Sequence, residues 1–286
     1  MPPSILLALP KGRIEAGVRQ LLADAGIEVQ AGDRHYRAGL NLPGFSAKLL
    51  KPQNIVEMLH AGSRHLGFAG ADWTAELGAE LVELLDTGLN PVRVVVAGPE
   101  ELVADGRLPS RPLVVASEYE NLASAWVQRR QLTARVLRSY GATEVFPPED
   151  ADLIVDNTAT GSTLAANRLR VVDVIMESST RLYAHPRALE DAARREAIDA
   201  FVVLLDSVLE ARRRVLVELN VPGEHLDAVI RILPCMRQAT VSPLQGNGAY
   251  GVKAALPRER LPLLIPEIKR RGGSDILVSG ISQIVP

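Results

Sequence analysis

Short apolar runs alternate with helical patterns along the first 205 residues of this 286-residue chain. The run SILLALP at 4–10 predicts a buried strand, and IEAGVRQLLADAG at 14–26 has the spacing of an amphipathic helix that ends at Gly26. Because strands that alternate with helices favour parallel sheets covered on both faces, this region predicts an α/β fold, with two lobes around a cleft. Further strand-like runs, rich in β-branched residues, follow at 90–98, 111–117, 151–156 and 170–178.

The last third of the chain follows a different pattern. Apolar alternation and turn signals predict strands at 214–222 and 274–285, and two strands around a QGNG hairpin turn within 239–257. Helical patterns lie between them at 223–234 and 258–273, and Pro266 is expected to kink the second helix. The resulting order, βαββαβ, is that of a ferredoxin-like unit, which is more natural for a regulatory or assembly domain than for a second active site.

Composition narrows the class of protein. The chain is 47% hydrophobic and 23% charged, as soluble globular proteins are. Its formal net charge of −2 does not predict binding to nucleic acid or to an anionic membrane. No apolar run approaches the roughly 20 residues of a membrane helix. The single cysteine, Cys235, excludes an internal disulfide and predicts a cytoplasmic protein. The five histidines are scattered, so a structural zinc site is not expected.

The segment DNTATGSTL at 156–164 places hydroxyl side chains and a glycine where a buried strand is predicted to end at Asp156. One interpretation is a Ser/Thr-rich turn with an N-cap. The other is a phosphate cradle, in which Gly161 lets the backbone approach the anion and the hydroxyls donate hydrogen bonds to its oxygens. The spacing alone leaves both interpretations open. The hydroxyls concerned belong to Thr158, Thr160, Ser162 and Thr163.

Two other predicted strands also end in residues suited to an anionic ligand. LPKGR places Lys11 and Arg13 on either side of Gly12, directly after the first strand. GFAGADW places Gly70 and Asp72 at another strand end. Each motif alone also fits an ordinary turn. Because ligands of α/β proteins bind beyond the carboxyl ends of strands, the three together predict an anionic substrate between two lobes.

Seven motifs occur in an order that carries a resemblance over nearly the whole chain. They are ALPKGRI (8–14), KPQNIVEML (51–59), LGFAGADW (66–73), VASEYENLA (115–123), GATEVFP (141–147), the block 151–182, and TVSPL (240–244). In these motifs the chain resembles the long form of the ATP phosphoribosyltransferase family of histidine biosynthesis. The resemblance implies a periplasmic-binding-protein-like catalytic region and a C-terminal, ACT-like ferredoxin domain. Implied boundaries are 1–91 plus 180–210 for lobe I, 92–179 for lobe II, and 211–286 for a histidine-binding regulatory domain.

The resemblance implies transfer of the 5-phosphoribosyl group of phosphoribosyl diphosphate to N1 of ATP, with release of diphosphate. Catalysis would depend on positioning and charge neutralisation, with Mg²⁺ carried by the diphosphate instead of a protein cage. The implied contacts with phosphoribosyl diphosphate are Asp156, Thr158, Ala159, Thr160, Gly161, Ser162, Thr163 and Glu144. Those with ATP and diphosphate are Lys11, Gly12, Arg13, Lys51, Gly70 and Asp72.

The resemblance also implies feedback by histidine on a homo-oligomer that interconverts between dimer and hexamer. The implied histidine contacts are Glu218, Asn220, Thr240 and Ser242. The family usually has an acidic residue near Asn220, so Glu218 would receive the effector's ammonium group, or feedback would be weaker.

The chain departs from the family pattern at several positions in its motifs. Asn157 and Thr158 stand where an aliphatic pair is usual, Arg168 replaces a glycine, and Lys51 replaces an arginine. Lys51 keeps the charge but loses bidentate geometry. These departures bear on the details of phosphate contact more than on the activity.

Two other functions fit parts of the sequence. A prephenate dehydratase also joins a two-lobed region to a small regulatory tail, and STRL at 179–182 is similar to its Thr-Arg pair. A dehydratase that acts on a dicarboxylate does not require the hydroxyl-rich segment at 156–164. A non-enzymatic solute-binding or effector-sensing protein would also use two lobes around a cleft, and binding without turnover would identify it.

Overall fold

The computed structural model describes residues 4–31, 37–103, 108–246 and 248–285. The chain divides into two compact units, one of Met1–Gln20 with Ile27–Ile198 and the other of Leu21–Gly26 with Asp199–Pro286. The further division of the catalytic region into lobes at 1–91 plus 180–210 and at 92–179 stays a prediction. Within the described residues, no helix combines the length and the apolar composition needed to cross a membrane.

The first half of the larger unit is built on parallel strands. Strand β1 pairs in parallel with both β4 and β5, so the carboxyl ends of these strands meet at one edge of the sheet. Side chains of β1 are almost wholly buried, as its continuous apolar run predicts. The elements are β1 (Ile5–Pro10), α1 (Glu15–Asp24), β2 (Val29–Ala31), β3 (Arg37–Leu40), β4 (Phe45–Leu50), α2 (Pro52–His60), β5 (Leu66–Gly70) and α3 (Ala71–Glu76), and the last residues of α1, from Leu21, belong to the smaller unit.

Two long antiparallel strands, β6 (Val82–Pro99) and β10 (Leu169–Ala184), join the two halves of this unit. β10 pairs with β5 of the first half, and β6 pairs with β9 (Leu153–Thr158) of the second. Only part of each strand was predicted, at 90–98 and 170–178. The remainder carries polar residues, and several bulges interrupt the pairing, so it lacks the apolar alternation of a strand.

The second half repeats the parallel α/β arrangement. β7 pairs in parallel with both β8 and β9, and its core includes the buried Tyr119 and Trp126. β9 continues two residues past Asp156, where the predicted strand ended. The elements are α4 (Glu100–Val103), β7 (Leu113–Ser117), α5 (Glu120–Arg129), β8 (Ala134–Arg138), β9, and α6 (Ser162–Ala166).

The described strands of this unit form one ten-stranded sheet in the order β2-β3-β4-β1-β5-β10-β6-β9-β7-β8. The predicted α/β class is confirmed. The sheet is mixed instead of wholly parallel, because β3, β6 and β10 run antiparallel to their neighbours.

The smaller unit contains the predicted βαββαβ order. Its sheet has the strand order β12-β13-β11-β14, with every pair antiparallel, which confirms the ferredoxin-like domain. Alternate residues of β11 point into the core, and the others, including Glu218 and Asn220, lie on the opposite face. Helix α7 (Ala192–Arg213) begins in the larger unit and continues in the smaller one. The other elements are β11 (Arg214–Pro222), α8 (Leu226–Ile230), β12 (Thr240–Pro243), β13 (Ala249–Pro257), α9 (Leu261–Arg270) and β14 (Ser274–Gly280).

Candidate active site

A cleft of about 190 Å³ lies in the larger unit. Lys11 and Arg13, which follow β1, line it together with Gly70, the last residue of β5, and Asp72, which follows that strand. These four predicted residues come together because β1 and β5 are parallel neighbours whose carboxyl ends share an edge of the sheet. The cleft therefore combines two cations with the end of a sheet where α/β proteins hold ligands.

The segment after β9 forms an open turn that exposes three of its hydroxyl residues, and Thr160 Oγ1 donates a hydrogen bond to Ser162 Oγ at 3.0 Å. Gly161 adopts φ +80° as the N-cap of α6, with no side-chain cap, so the predicted hydroxyl N-cap does not form. Thr158 is buried, and its Oγ1 accepts a hydrogen bond from the Gly161 N–H at 3.0 Å. Thr158 therefore holds the turn in shape. Ala159, Thr160, Ser162 and Thr163 are exposed.

The space beside Gly161 is open with respect to the described residues. A Cβ at this position would meet no described atom within 4 Å. An exposed turn with a left-handed glycine and hydroxyl side chains has room for an anion such as phosphate.

Asp156 has an electrostatically unusual carboxyl group. Burial, together with the charges of Glu144 and Glu118, raises its pKa to about 6, while the Asn157 backbone N–H and the charge of Arg13 oppose the rise. Its Oδ1 accepts a hydrogen bond from the Asn157 backbone N–H at 2.7 Å. Two other predicted residues, Glu144 and Arg13, thus lie near enough to Asp156 to act on its charge.

Both carboxylate oxygens of Asp72 accept hydrogen bonds from protein hydroxyls. It is 3% exposed, its Oδ1 accepts from Ser178 at 2.7 Å, and its Oδ2 accepts from the Tyr119 hydroxyl at 2.6 Å. Burial and the charge of Asp72 raise the pKa of Tyr119, so the phenol stays protonated. The Tyr119 ring stacks on Trp73, with centroids 4.7 Å apart. Asp72 is therefore a fixed internal anchor of the cleft wall.

A second buried acid links the two halves of the unit. Glu76, at the end of α3, is 5% exposed and accepts hydrogen bonds from the backbone N–H groups of Asn121 and Leu122, each at 2.9 Å. The Asn121 side chain donates in return to the Glu76 carbonyl at 2.8 Å. Glu76 thus caps the first turn of α5, a contact that the sequence analysis missed.

The remaining predicted site residues lie around this cleft. Lys51 is exposed at the start of α2, beside the lining residues Pro52 and Gln53. Gly12 has φ +80° and, like Gly161, no described atom within 4 Å of a Cβ. Ala159 lines a neighbouring cleft of about 430 Å³, which shares Val92, Ser178 and Ser179 with the first cleft. Within the described ranges, no group of three or more His, Cys, Asp or Glu is placed to hold a metal ion.

The smaller unit has a pocket of about 350 Å³ on the sheet face opposite its core. All four residues predicted to contact histidine line it: Glu218, Asn220, Thr240 and Ser242. Asp275, which the sequence analysis missed, also lines the pocket and accepts a hydrogen bond from Asn220 Nδ2 at 3.0 Å. Glu218 instead pairs with Lys253 at 2.9 Å.

The chain is similar to the proteins of one family in both sequence and structure. The family model described as ATP phosphoribosyltransferase (HisG) matches residues 51–207, and that of the HisG C-terminal domain matches 211–283. ATP phosphoribosyltransferases of Pelotomaculum thermopropionicum and Desulforudis audaxviator are each 35% identical over 285 residues, covering 98% of this chain and 99% of theirs. The solved ATP phosphoribosyl transferase (HisG:HisZ) complex from Thermotoga maritima is similar with a TM-score of 0.64, at 27% identity, over 72% of this chain and 98% of that chain.

The fold, the cleft and these matches define a transferase of pentosyl groups. The chain belongs to the ATP phosphoribosyltransferase family, which confirms the predicted resemblance. Its match to the C-terminal domain model agrees with the predicted long form.

Proposed function

We propose that the chain transfers the 5-phosphoribosyl group of phosphoribosyl diphosphate to N1 of ATP and releases diphosphate, the first step of histidine biosynthesis in the cytoplasm. The observation that carries this proposal is the turn at 156–164, which adjoins a cleft with two cations. The turn holds the 5-phosphate through its backbone and through Thr160, Ser162 and Thr163. Thr158 keeps the turn in shape through its bond to Gly161.

Asp156 and Glu144 hold the ribose hydroxyls of the donor. An ionised carboxylate accepts hydrogen bonds from hydroxyls, and the electrostatic interaction of these two acids implies that they lie close together. Lys11 and Arg13, which line the adjoining cleft, neutralise the diphosphate and the nucleotide phosphates together with Lys51. Displacement at an anomeric carbon needs mainly this positioning and charge neutralisation on the leaving group.

The acids of the site fit a Mg²⁺ ion that arrives on the diphosphate. Mg²⁺ usually keeps several waters and binds one or two carboxylates together with substrate phosphates. Asp156, with Glu144 near it, would supply one or two oxygen donors of this kind, and among the described residues no group of three or more acids is placed to form a cage. When bound, the ion offsets the charge of the departing diphosphate.

The direct test is an absorbance assay for the adduct formed from ATP and phosphoribosyl diphosphate with Mg²⁺. We expect turnover that requires both substrates. Calorimetric binding of free amino acids or sugars in the cleft, without turnover, would support a solute-binding protein. Conversion of prephenate to phenylpyruvate would support a dehydratase.

Asp156 gives the reaction a predicted pH dependence. Its pKa of about 6 means that the carboxylate is protonated below that pH and loses its capacity to accept from ribose hydroxyls. We expect kcat/KM for phosphoribosyl diphosphate to fall as the pH decreases through about 6. Because phosphate monoesters titrate near pH 6 as well, the measurement compares the wild type with Asp156→Asn. The variant should be less active, and its kcat/KM should change with pH only through titration of the substrate phosphate. Identical pH profiles for the variant and the wild type would contradict this assignment.

The pocket of the smaller unit is the proposed histidine site, on a homo-oligomer that interconverts between dimer and hexamer. The carboxylate, amide and hydroxyl groups that line it are suited to binding an amino acid. Because Glu218 already pairs with Lys253, Asp275 is the carboxylate that receives the ammonium group. The sequence alone predicts Glu218 for this role, and the comparison of the two variants below distinguishes the two carboxylates.

Histidine should slow the wild-type enzyme in the same assay. Asp275→Asn should raise the histidine concentration for half-inhibition roughly tenfold, the effect of losing one charge-assisted hydrogen bond, with the uninhibited rate unchanged. Glu218→Gln serves as the matched comparison and should have the smaller effect. Unchanged inhibition in both variants would remove this pocket from the proposed regulation.

A further inference from the structure

Asn157 stands where the family usually has an aliphatic residue, and no step above uses its side chain. The side chain lines the same cleft as Lys11, Arg13 and Asp72. Its Nδ2 donates a hydrogen bond to the Tyr119 hydroxyl at 2.8 Å. A polar group thus replaces an apolar one at the wall of the cleft.

The hydrogen bonds that join Asp72, Tyr119 and Asn157 in the cleft wall can run in only one direction. A carboxylate accepts hydrogen bonds and does not donate them, so the Tyr119 hydroxyl donates its proton to Asp72 Oδ2. The same hydroxyl can then only accept from Asn157, which requires the amide NH₂ to face Tyr119. Tyr119 is itself fixed, because it is wholly buried and stacked on Trp73.

This direction leaves the amide oxygen of Asn157 facing away from Tyr119. Among the residues that the structure describes, no hydrogen-bond donor is paired with Asn157 Oδ1. The oxygen is also not one of the buried polar atoms that lack a partner, so it is accessible to solvent. The cleft therefore presents a hydrogen-bond acceptor of fixed orientation.

We propose that Asn157 is a specificity-determining residue, whose Oδ1 accepts a hydrogen bond from an N–H or O–H group of a bound substrate. The identity of the substrates rests on the proposed function. They offer two such donors near the reacting atoms: the ribose hydroxyls of phosphoribosyl diphosphate and the exocyclic amino group of adenine. Tyr119 is the positioning residue, because it orients the amide without contacting substrate.

The test compares Asn157→Leu, Tyr119→Phe and the double variant with the wild type. Asn157→Leu restores an aliphatic side chain of similar size and should lower kcat/KM for one substrate about tenfold, the effect of one lost hydrogen bond. Tyr119→Phe should lower the same constant less. Because both changes act on one contact, the loss in the double variant should be smaller than the product of the two single losses. Asn54→Leu, on the exposed side of α2, is the matched control and should leave both constants unchanged.

The substrate whose kcat/KM falls in Asn157→Leu is the one that donates the hydrogen bond to Asn157. A fall for phosphoribosyl diphosphate indicates a ribose hydroxyl, and a fall for ATP indicates the adenine amino group. If Asn157→Leu keeps both constants within about threefold of the wild type, or if the double variant loses the full product of the single effects, the proposed contact does not exist. Wild-type turnover in the same assay separates that result from a failure of the proposed function.

Discussion

Gly161→Val is expected to lower kcat/KM for phosphoribosyl diphosphate by at least about 100-fold, because displacing a bound group by about 1 Å can cost that much. Gly161 turns the chain at φ +80°, with no described atom within 4 Å of a Cβ. A valine side chain would therefore project into the space proposed for the 5-phosphate. The measurement is a steady-state titration of each substrate, and the KM for phosphoribosyl diphosphate should rise more than the KM for ATP.

Backbone strain alone must be separated from loss of the phosphate site. A branched residue in the left-handed region costs roughly 1–2 kcal/mol wherever it stands. Gly26 is a matched control: it has φ +76°, also has no described atom within 4 Å of a Cβ, and does not line the cleft. Gly26→Val should be destabilised to a similar extent and keep its turnover. Near-full turnover of Gly161→Val, or an equal loss in Gly26→Val, would show that the turn has been misassigned.

The parts of the fold that could be predicted are those that local pattern determines. β1, β5 and β7 are largely apolar runs bounded by glycine, proline or polar residues, and β9 begins as one. β1 and β5 pair in parallel, which brings their carboxyl ends to the same edge of the sheet. Lys11 and Asp72 could therefore be placed in one cleft from sequence alone. The full lengths of β6 and β10 could not be predicted, because antiparallel partners and bulges, instead of local apolar alternation, stabilise their polar parts.

The contacts that were missed join residues far apart in sequence. Tyr119 lies 47 positions from Asp72, Ser178 lies 106 positions from it, and Asp275 lies 55 positions from Asn220. The motif VASEYENLA contains Tyr119, but nothing in that motif indicates that the phenol reaches Asp72. Motif order predicts which residues approach the substrate; tertiary structure determines which polar groups are already paired with protein and which remain available.

Glu76→Ala is expected to lower the free energy of unfolding by roughly 2–4 kcal/mol. It removes the acceptor for two backbone N–H groups in the first turn of α5. Both tryptophans, Trp73 on α3 and Trp126 on α5, lie in the elements that Glu76 joins, so their fluorescence during urea unfolding reports this contact directly. Glu80→Ala, an exposed neighbour in sequence, is the control and should change stability by less than about 0.5 kcal/mol.

The pH dependence of this effect gives a second, independent check on the role of Glu76. Burial raises the pKa of its carboxyl group, so the folded state binds a proton more tightly than the unfolded state does. The stability that this group contributes is therefore fully present below its unfolded pKa and declines as the pH rises through the raised value. The difference in unfolding free energy between the wild type and Glu76→Ala should be larger at about pH 4 than at about pH 7. An equal difference at both values would mean that the carboxyl group is not buried between the two halves of the unit, and that another contact fastens α3 to α5.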